Sequence, residues 1–231
     1  MSRAENVIRY YVLCNKLKEV IRTGWVDWHV DSDRVESVAE HIYGTLMLAI
    51  GMKSEYNYDI NLEKVIMMLA VHELEEIFIG DLTQFQISKQ EKNVIGHEAV
   101  NIVLKDLLDK EQIKALIYEF DERKTKEAKF AHYCDKLECD LQSKIYDECG
   151  YVDIDKQSDN ESFYDEQVKE LLDSGMSFGE MWLSFGQKRY NYDDYFLEVS
   201  NYALNNKINK YKLEIEEYKL KKGNYVRNKK K

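Results

Sequence analysis

Three stretches of this chain place ionisable side chains where the surrounding pattern calls for apolar ones. The stripe Leu62, Val65, Ile66, Leu69 advances by three and four residues, and the same steps carry it onto His72, Glu73 and Glu76. A face built for burial thus ends in a histidine and two carboxylates. A buried carboxylate without a partner takes up a proton, so such a cluster is stable only around a cation or within a dense hydrogen-bond network. His41 flanks the face formed by Val38, Ile42 and Leu46, and Asp135 sits beside Cys134 on the edge of the stripe Phe130, Leu137, Leu141. Three helical segments therefore each offer an inward ligand. Two imidazoles with carboxylates suit a borderline divalent ion, since a structural zinc site calls for thiolates and a calcium site for oxygen alone. A lone histidine on a helix flank is ordinarily a packed or surface group; His29, His97 and His132 are read that way, and Glu75 as a solvated residue.

The elements that must bring these groups together are helices. The 231 residues contain no proline and only 10 glycines, which removes the usual punctuation of turn-rich β folds. Apolar residues make up 44% and charged ones 33%, enough to bury a core, and the length favours a single domain. Apolar positions recur at helical spacing from Val7 to Ile21, Val35 to Ile50, Leu62 to Leu69, Gly96 to Leu107, Ile113 to Phe120 and Phe130 to Ile145. A polar break at Gly150 to Asn160 precedes a second helical region, with apolar positions from Val168 to Tyr202. The spacing 4, 3, 4, 3 of Leu204, Ile208, Tyr211, Ile215 and Tyr218 predicts a short seam that docks on the body or on another chain. The expected architecture is all-α, with a core over 1–150, additional packed helices over 151–206 and a basic helix or tail over 207–231.

Charge narrows the function classes. The formal net charge is −10, and the seven basic residues of 219–231 stand with no acidic one, so the rest of the chain is more acidic still. Such a body repels polynucleotide phosphate at long range, and a small anionic substrate needs local cations or a metal. No window of about 18 apolar residues exists to span a bilayer, and Met1 to Asn6 is polar. A cytoplasmic protein is expected. Cys14, Cys134, Cys139 and Cys149 form no CxxC pair and fall in helical stretches, which fits reduced, packed thiols.

Taken in order, Arg22-Thr-Gly-Trp25, Glu36-Ser-Val-Ala-Glu-His41, His72-Glu-Leu-Glu-Glu76 with Gly80-Asp81-Leu82, and Ala128-Lys-Phe130 with Asp135-Lys-Leu-Glu138 form an ordered set. That set resembles the HD-domain phosphohydrolases, and among them the small 5'-deoxynucleotidases. The resemblance implies an all-α HD-type fold and removal of the 5'-phosphate from (deoxy)nucleoside monophosphates by attack of a metal-activated water. It places His41, His72 and Asp135 on metal-binding positions, with Glu73 beside them, and Glu76 on the position of the general acid/base. Asp81 and Trp25 match residues that hold the sugar and exclude a ribose 2'-hydroxyl, and Arg22 and Arg34 are candidates for the phosphate dianion. The cofactor implied is one divalent ion among Mn, Co, Fe, Zn, Ni and Mg. A homodimer is expected from such relatives, with the tyrosine-rich stretch Tyr190 to Tyr202 as a possible interface.

The family's pair is His-Asp, whereas this chain has His72-Glu73. The extra methylene moves the carboxylate outward by roughly 1.5 Å. Either the helix shifts or the side chain folds to compensate, or Glu73 is not a ligand; Glu73→Asp, which restores the family pair, is expected to raise metal occupancy or rate. The alternatives to a monophosphatase are a non-catalytic nucleotide-binding relative and an HD phosphohydrolase acting on nucleoside triphosphates or signalling nucleotides.

Overall fold

Four serines set the starts of helices by the same device. Ser2, Ser37, Ser88 and Ser177 each accept from the backbone N–H three residues on, while Glu5, Glu40, Glu91 and Glu180 reach back to the serine N–H. Asn61, Thr125, Asp165 and Asp193 cap four more. The computed structural model describes residues 2–83 and 85–227, the side chains of residues 89 and 221–227 excepted. In chain order the α-helices are α1 (Arg3–Asn15), α2 (Thr23–Asp27), α3 (Val38–Tyr56), α4 (Leu62–Val71), α5 (Glu76–Ile79), α6 (Lys89–Leu104), α7 (Lys110–Glu122), α8 (Lys126–Glu148), α9 (Glu166–Asp173), α10 (Phe178–Arg189), α11 (Asp194–Asn205) and α12 (Lys212–Arg227). Among the described residues there is no strand beyond an isolated bridge between Ile21 and Ser37, and no helix is long and apolar enough to cross a membrane. The fold is all-α, as the composition predicts.

The axis of the molecule is α8. It packs against α3 and α4 on one side and against α10 and α11 on another, so it is buried on more than one face. Ala128, Phe130, Ala131, Cys134 and Leu137 meet Ala49 and Met52 of α3, Val65, Met68 and Leu69 of α4, and Leu183 and Phe196 of the later helices in one apolar cluster. A second cluster joins Trp25, Trp28 and Val30 to Tyr146 and to Val168, Phe178, Met181 and Phe185. Fully buried side chains of this size contribute roughly 1.5–3 kcal/mol each relative to exposure, so these contacts hold the segments after residue 150 onto the earlier helices. A third cluster fastens Val71 and Leu74 to Val100, Val103 and Leu104 of α6.

Several boundaries differ from the apolar spacing. The first run stops at Asn15 and continues as a short 3-10 turn over Lys16–Lys18, with Leu17 buried. The stretch from Leu62 to Glu76 is not one helix. Helix α4 ends at Val71, bonds from Leu74 to Val71 and from Glu76 to Glu73 tighten the chain through residues 72–75, and Glu76 opens α5. Glu76 is therefore placed by a turn rather than by a continuing face. The polar break at 150–160 is partly internal, because Gln157 and Asn160 are buried and bonded to each other. The proposed seam is interrupted: Asn206 is extended at φ −135° and ψ 154°, so Leu204 lies in α11 while Tyr211 ends a separate 3-10 turn. The basic tail after Leu220 lies outside the residues whose side chains are described.

Candidate metal centre

His41 stands in the first turn of α3 with no solvent exposure, and its Nδ1 lies 2.6 Å from Oε2 of Glu138 on α8. His72 caps the end of α4, and its Nδ1 donates to the Leu69 carbonyl at 2.7 Å. A carbonyl can only accept, and a carboxylate accepts when ionised, so both rings carry their proton on Nδ1 and turn the Nε2 lone pair the other way. Those lone pairs meet Asp135, at the buried centre of α8. His41 Nε2 is 3.3 Å from Asp135 Oδ1 and 3.9 Å from Glu73 Oε1, and His72 Nε2 is 3.4 Å from Glu73 Oε1 and 4.0 Å from Asp135 Oδ1. One donor atom from each of the four residues lies within 4.8 Å of every other.

His41 Nε2, His72 Nε2 and Asp135 Oδ1 are buried and have no hydrogen-bond partner. Three acceptors facing one another in a dry interior are unstable unless a positive charge sits between them. The neighbouring charges act differently on the three groups. Burial and Arg22 oppose a charge on His41, yet Cys139, Glu138 and Asp135 hold its pKa well above the ordinary value. Burial lowers that of His72. Burial opposes ionisation of Asp135 too, but Lys136 and the histidines hold it well below the usual carboxylate range. The donor set of two imidazoles and two carboxylates fits a borderline divalent ion. Glu73 fits it as well: lying in the turn after α4, its side chain reaches the cluster despite the extra methylene.

Glu76 adjoins this centre. Its Oε1 accepts from Lys92 Nζ of α6 at 2.8 Å, and its Oε2 is buried without a partner. Burial first, and then the charge of Glu73, push its pKa well above the ordinary value. Asp81 accepts from the Thr23 N–H at 2.7 Å and lies 3.6 Å from Arg22 Nη1. The Arg22 guanidinium also approaches Glu73 at 3.8 Å and the Cys139 sulfur at 3.0 Å. Trp25 is fixed by its indole N–H, which donates to Glu36 Oε2 at 2.8 Å. Arg22, Trp25, Glu73, Glu76, Asp81 and Lys92 line one cavity, whose far end is aromatic with Trp28, Phe85 and Trp182.

The sequence-derived residues are thus brought together with one exception. Arg34 is exposed, pairs with Glu40 and lines a different hollow with Glu36 and Tyr146. Its place in the loop before α3 keeps it from the cavity, so Arg34 is corrected from a phosphate donor to a surface residue. Glu75 is not solvated either: its Oε2 is buried and its carboxyl is pushed up to about 8 by burial and by Glu73. Sequence reasoning missed Lys92, Lys136 and Glu138 as parts of the site. Glu138 was legible, one helical turn after Asp135 on the same face; Lys92 carried no signal, because α6 delivers it from another element.

The chain belongs to the HD domain family, which matches residues 14–175. The 5'-deoxynucleotidase HDDC2 of Dictyostelium discoideum is 30% identical over 168 residues, covering 69% of this chain and 87% of that protein. The human 5'-deoxynucleotidase HDDC2 is 28% identical, covering 70% and 76%. Among solved structures, the PH0347 protein of Pyrococcus horikoshii superposes with a TM-score of 0.58 at 24% identity over 85% of this chain and 98% of that one. A protein of Magnetospirillum magnetotacticum, described as a predicted metal-dependent phosphohydrolase, superposes at 0.55 with 21% identity, over 83% of this chain and 95% of that one. The two solved structures share the helical fold of this chain.

Proposed function

We propose that the chain is a metal-dependent phosphomonoester hydrolase that removes the 5'-phosphate from deoxynucleoside monophosphates. The observation that carries this reading is the convergence of the partnerless His41 Nε2, His72 Nε2 and Asp135 Oδ1 beside the partnerless Glu76 Oε2. His41, His72, Glu73 and Asp135 would hold a divalent ion, which would supply Lewis acidity to a phosphoryl oxygen and to water. The chain's own groups do the rest. Lys92 holds Glu76 Oε1, which leaves Oε2 to take a proton from the attacking water and return it to the departing 5'-oxygen. The raised pKa of Glu76 suits both halves of that transfer. Arg22, Lys92 and Lys136 supply cationic donors for the phosphate in an otherwise acidic protein. Glu36 locks the Trp25 ring, and Asp81 is fixed by the Thr23 N–H, so both face the sugar in set positions.

The test is a phosphate-release screen across deoxy- and ribonucleoside monophosphates with Mn, Co, Ni, Zn and Mg in turn. Release confined to deoxy substrates is expected. Glu76→Ala is expected to lower turnover by about 10²–10⁴-fold while the purified protein keeps its metal. Loss of metal together with turnover would remove Glu76 from the acid/base role, and activity on triphosphates alone would replace the monophosphate reading.

A further inference from the structure

A second cavity reaches the same centre, and its outer walls have no part in the reading above. It shares Glu73, Lys92, Lys136 and Tyr190 with the first, but continues to His132, Arg123 and Arg189 instead of to Trp25 and Asp81. Its chemistry differs accordingly. The first cavity ends in indoles; this one ends in two guanidinium groups and an imidazole.

Two buried nitrogens in it lack hydrogen-bond partners. Arg123 closes α7 in the left-handed conformation at φ 54°, and its Nε is buried without a hydrogen-bond partner. His132 is 5% exposed, and its Nδ1 has no partner either, because Asp135 Oδ2 at 3.8 Å is too far for a hydrogen bond. Of the acids in the walls, Asp121 holds His97 Nε2 at 2.8 Å, Glu73 and Asp135 belong to the metal cluster, and Glu75 has a buried Oε2 with no hydrogen-bond partner. The walls carry Lys92, Lys136, Arg123 and Arg189 against Glu73, Glu75, Asp121 and Asp135; Lys92 is held by Glu76 and Lys136 by Asp135, which leaves the two guanidinium groups to face the cavity. Leaving a buried guanidinium N–H unbonded is costly, and an oxyanion satisfies it with charge-assisted bonds.

We infer that the cavity lined by Arg123, His132 and Arg189 is a second oxyanion site, separate from the one that holds the scissile phosphate, and that it takes the orthophosphate released by hydrolysis. Its occupancy rests on the hydrolase reading, but its existence as an anion site does not. A product phosphate seated there would clear the metal ligands without passing a nucleoside still held against Trp25.

The test is calorimetric titration of orthophosphate into the full chain loaded with Mn²⁺, for the parent and for Arg123→Gln with Arg189→Gln, with chloride as the control anion. The phosphate Kd is expected to rise at least five-fold in the double variant, while KM for a deoxynucleoside monophosphate changes less than two-fold. An unchanged phosphate Kd overturns the inference. So does a KM that rises in step with Kd, because the arginines would then serve the substrate's own phosphate. A rise confined to the KM of a deoxynucleoside diphosphate overturns orthophosphate as the occupant in favour of a distal phosphoryl group. Absence of phosphate release from every substrate would sink the hydrolase reading and the product assignment, whereas the titration still decides the anion site. Single variants at Arg123 and Arg189, checked by thermal melting, separate loss of folding from loss of binding.

Discussion

Glu138 stands behind the candidate metal ligand His41. By accepting from His41 Nδ1 at 2.6 Å it fixes the tautomer and aims Nε2 at the other three donor atoms. Glu138→Ala is therefore expected to weaken Mn²⁺ binding by about 10- to 100-fold, read by calorimetry on the full chain, with Glu138→Gln falling between because its amide oxygen still accepts the bond. Gly44 serves the same pair, since a Cβ there would overlap the Glu138 carboxylate. At Glu73 the structure reverses an expectation. From sequence, restoring the family's aspartate reads as a repair; in the fold Oε1 already lies 3.4 Å from His72 Nε2, and shortening the side chain withdraws it. Glu73→Asp is expected to lower retained metal after dialysis, measured by elemental analysis, and higher occupancy would show that the turn after α4 adjusts to the shorter acid. The difference arises because spacing counts residues, whereas reach depends on whether they continue a helix.

At the scale of elements, the site depends on how closely α10 lies against α8. A Cβ added at Gly179 would stand 2.6 Å from the Lys144 Cα, a backbone atom that cannot swing aside. Gly179→Ala is expected to force the helices apart and lower stability by about 1–3 kcal/mol, seen as a lower denaturant midpoint with little change in slope. A midpoint equal to the parent's would show that α10 slides freely on α8. Gly186 makes the same kind of approach to the Asp140 carboxylate. The positions of the long helices were legible from their apolar steps and their Ser-x-x-Glu starts. The break between α4 and α5 was not, because Val71 to Glu76 contains neither proline nor glycine and the turn is made by the bonds and side chains of residues 72–75 themselves.

For the molecule as a whole, the pH dependence of unfolding should carry the mark of its buried acids, with Asp140 among them. Asp140 is 3% exposed, accepts from the Tyr192 hydroxyl at 3.1 Å, and is pushed well above the ordinary carboxylate value chiefly by burial. The folded state therefore binds a proton that the unfolded state releases. Its stabilising effect is complete below the unfolded value near 4 and is lost as pH rises toward the folded one, at up to about 1.4 kcal/mol per pH unit. Asp140→Asn, neutral at every pH, is expected to flatten that decline in chemical denaturation curves at pH 5, 6 and 7; an unaltered slope would show that Asp140 ionises freely in the fold. The sequence by itself determined the helical class, the acidic body and the inward-facing groups His41, His72 and Asp135, because apolar periodicity and residue type are local properties of the chain. Only the tertiary structure decided that Glu73 reaches the cluster, that Arg34 stays outside, and that Lys92 and Glu138 join it. Those facts depend on distances between segments up to 97 residues apart, which are set by how helices pack and where turns redirect the chain.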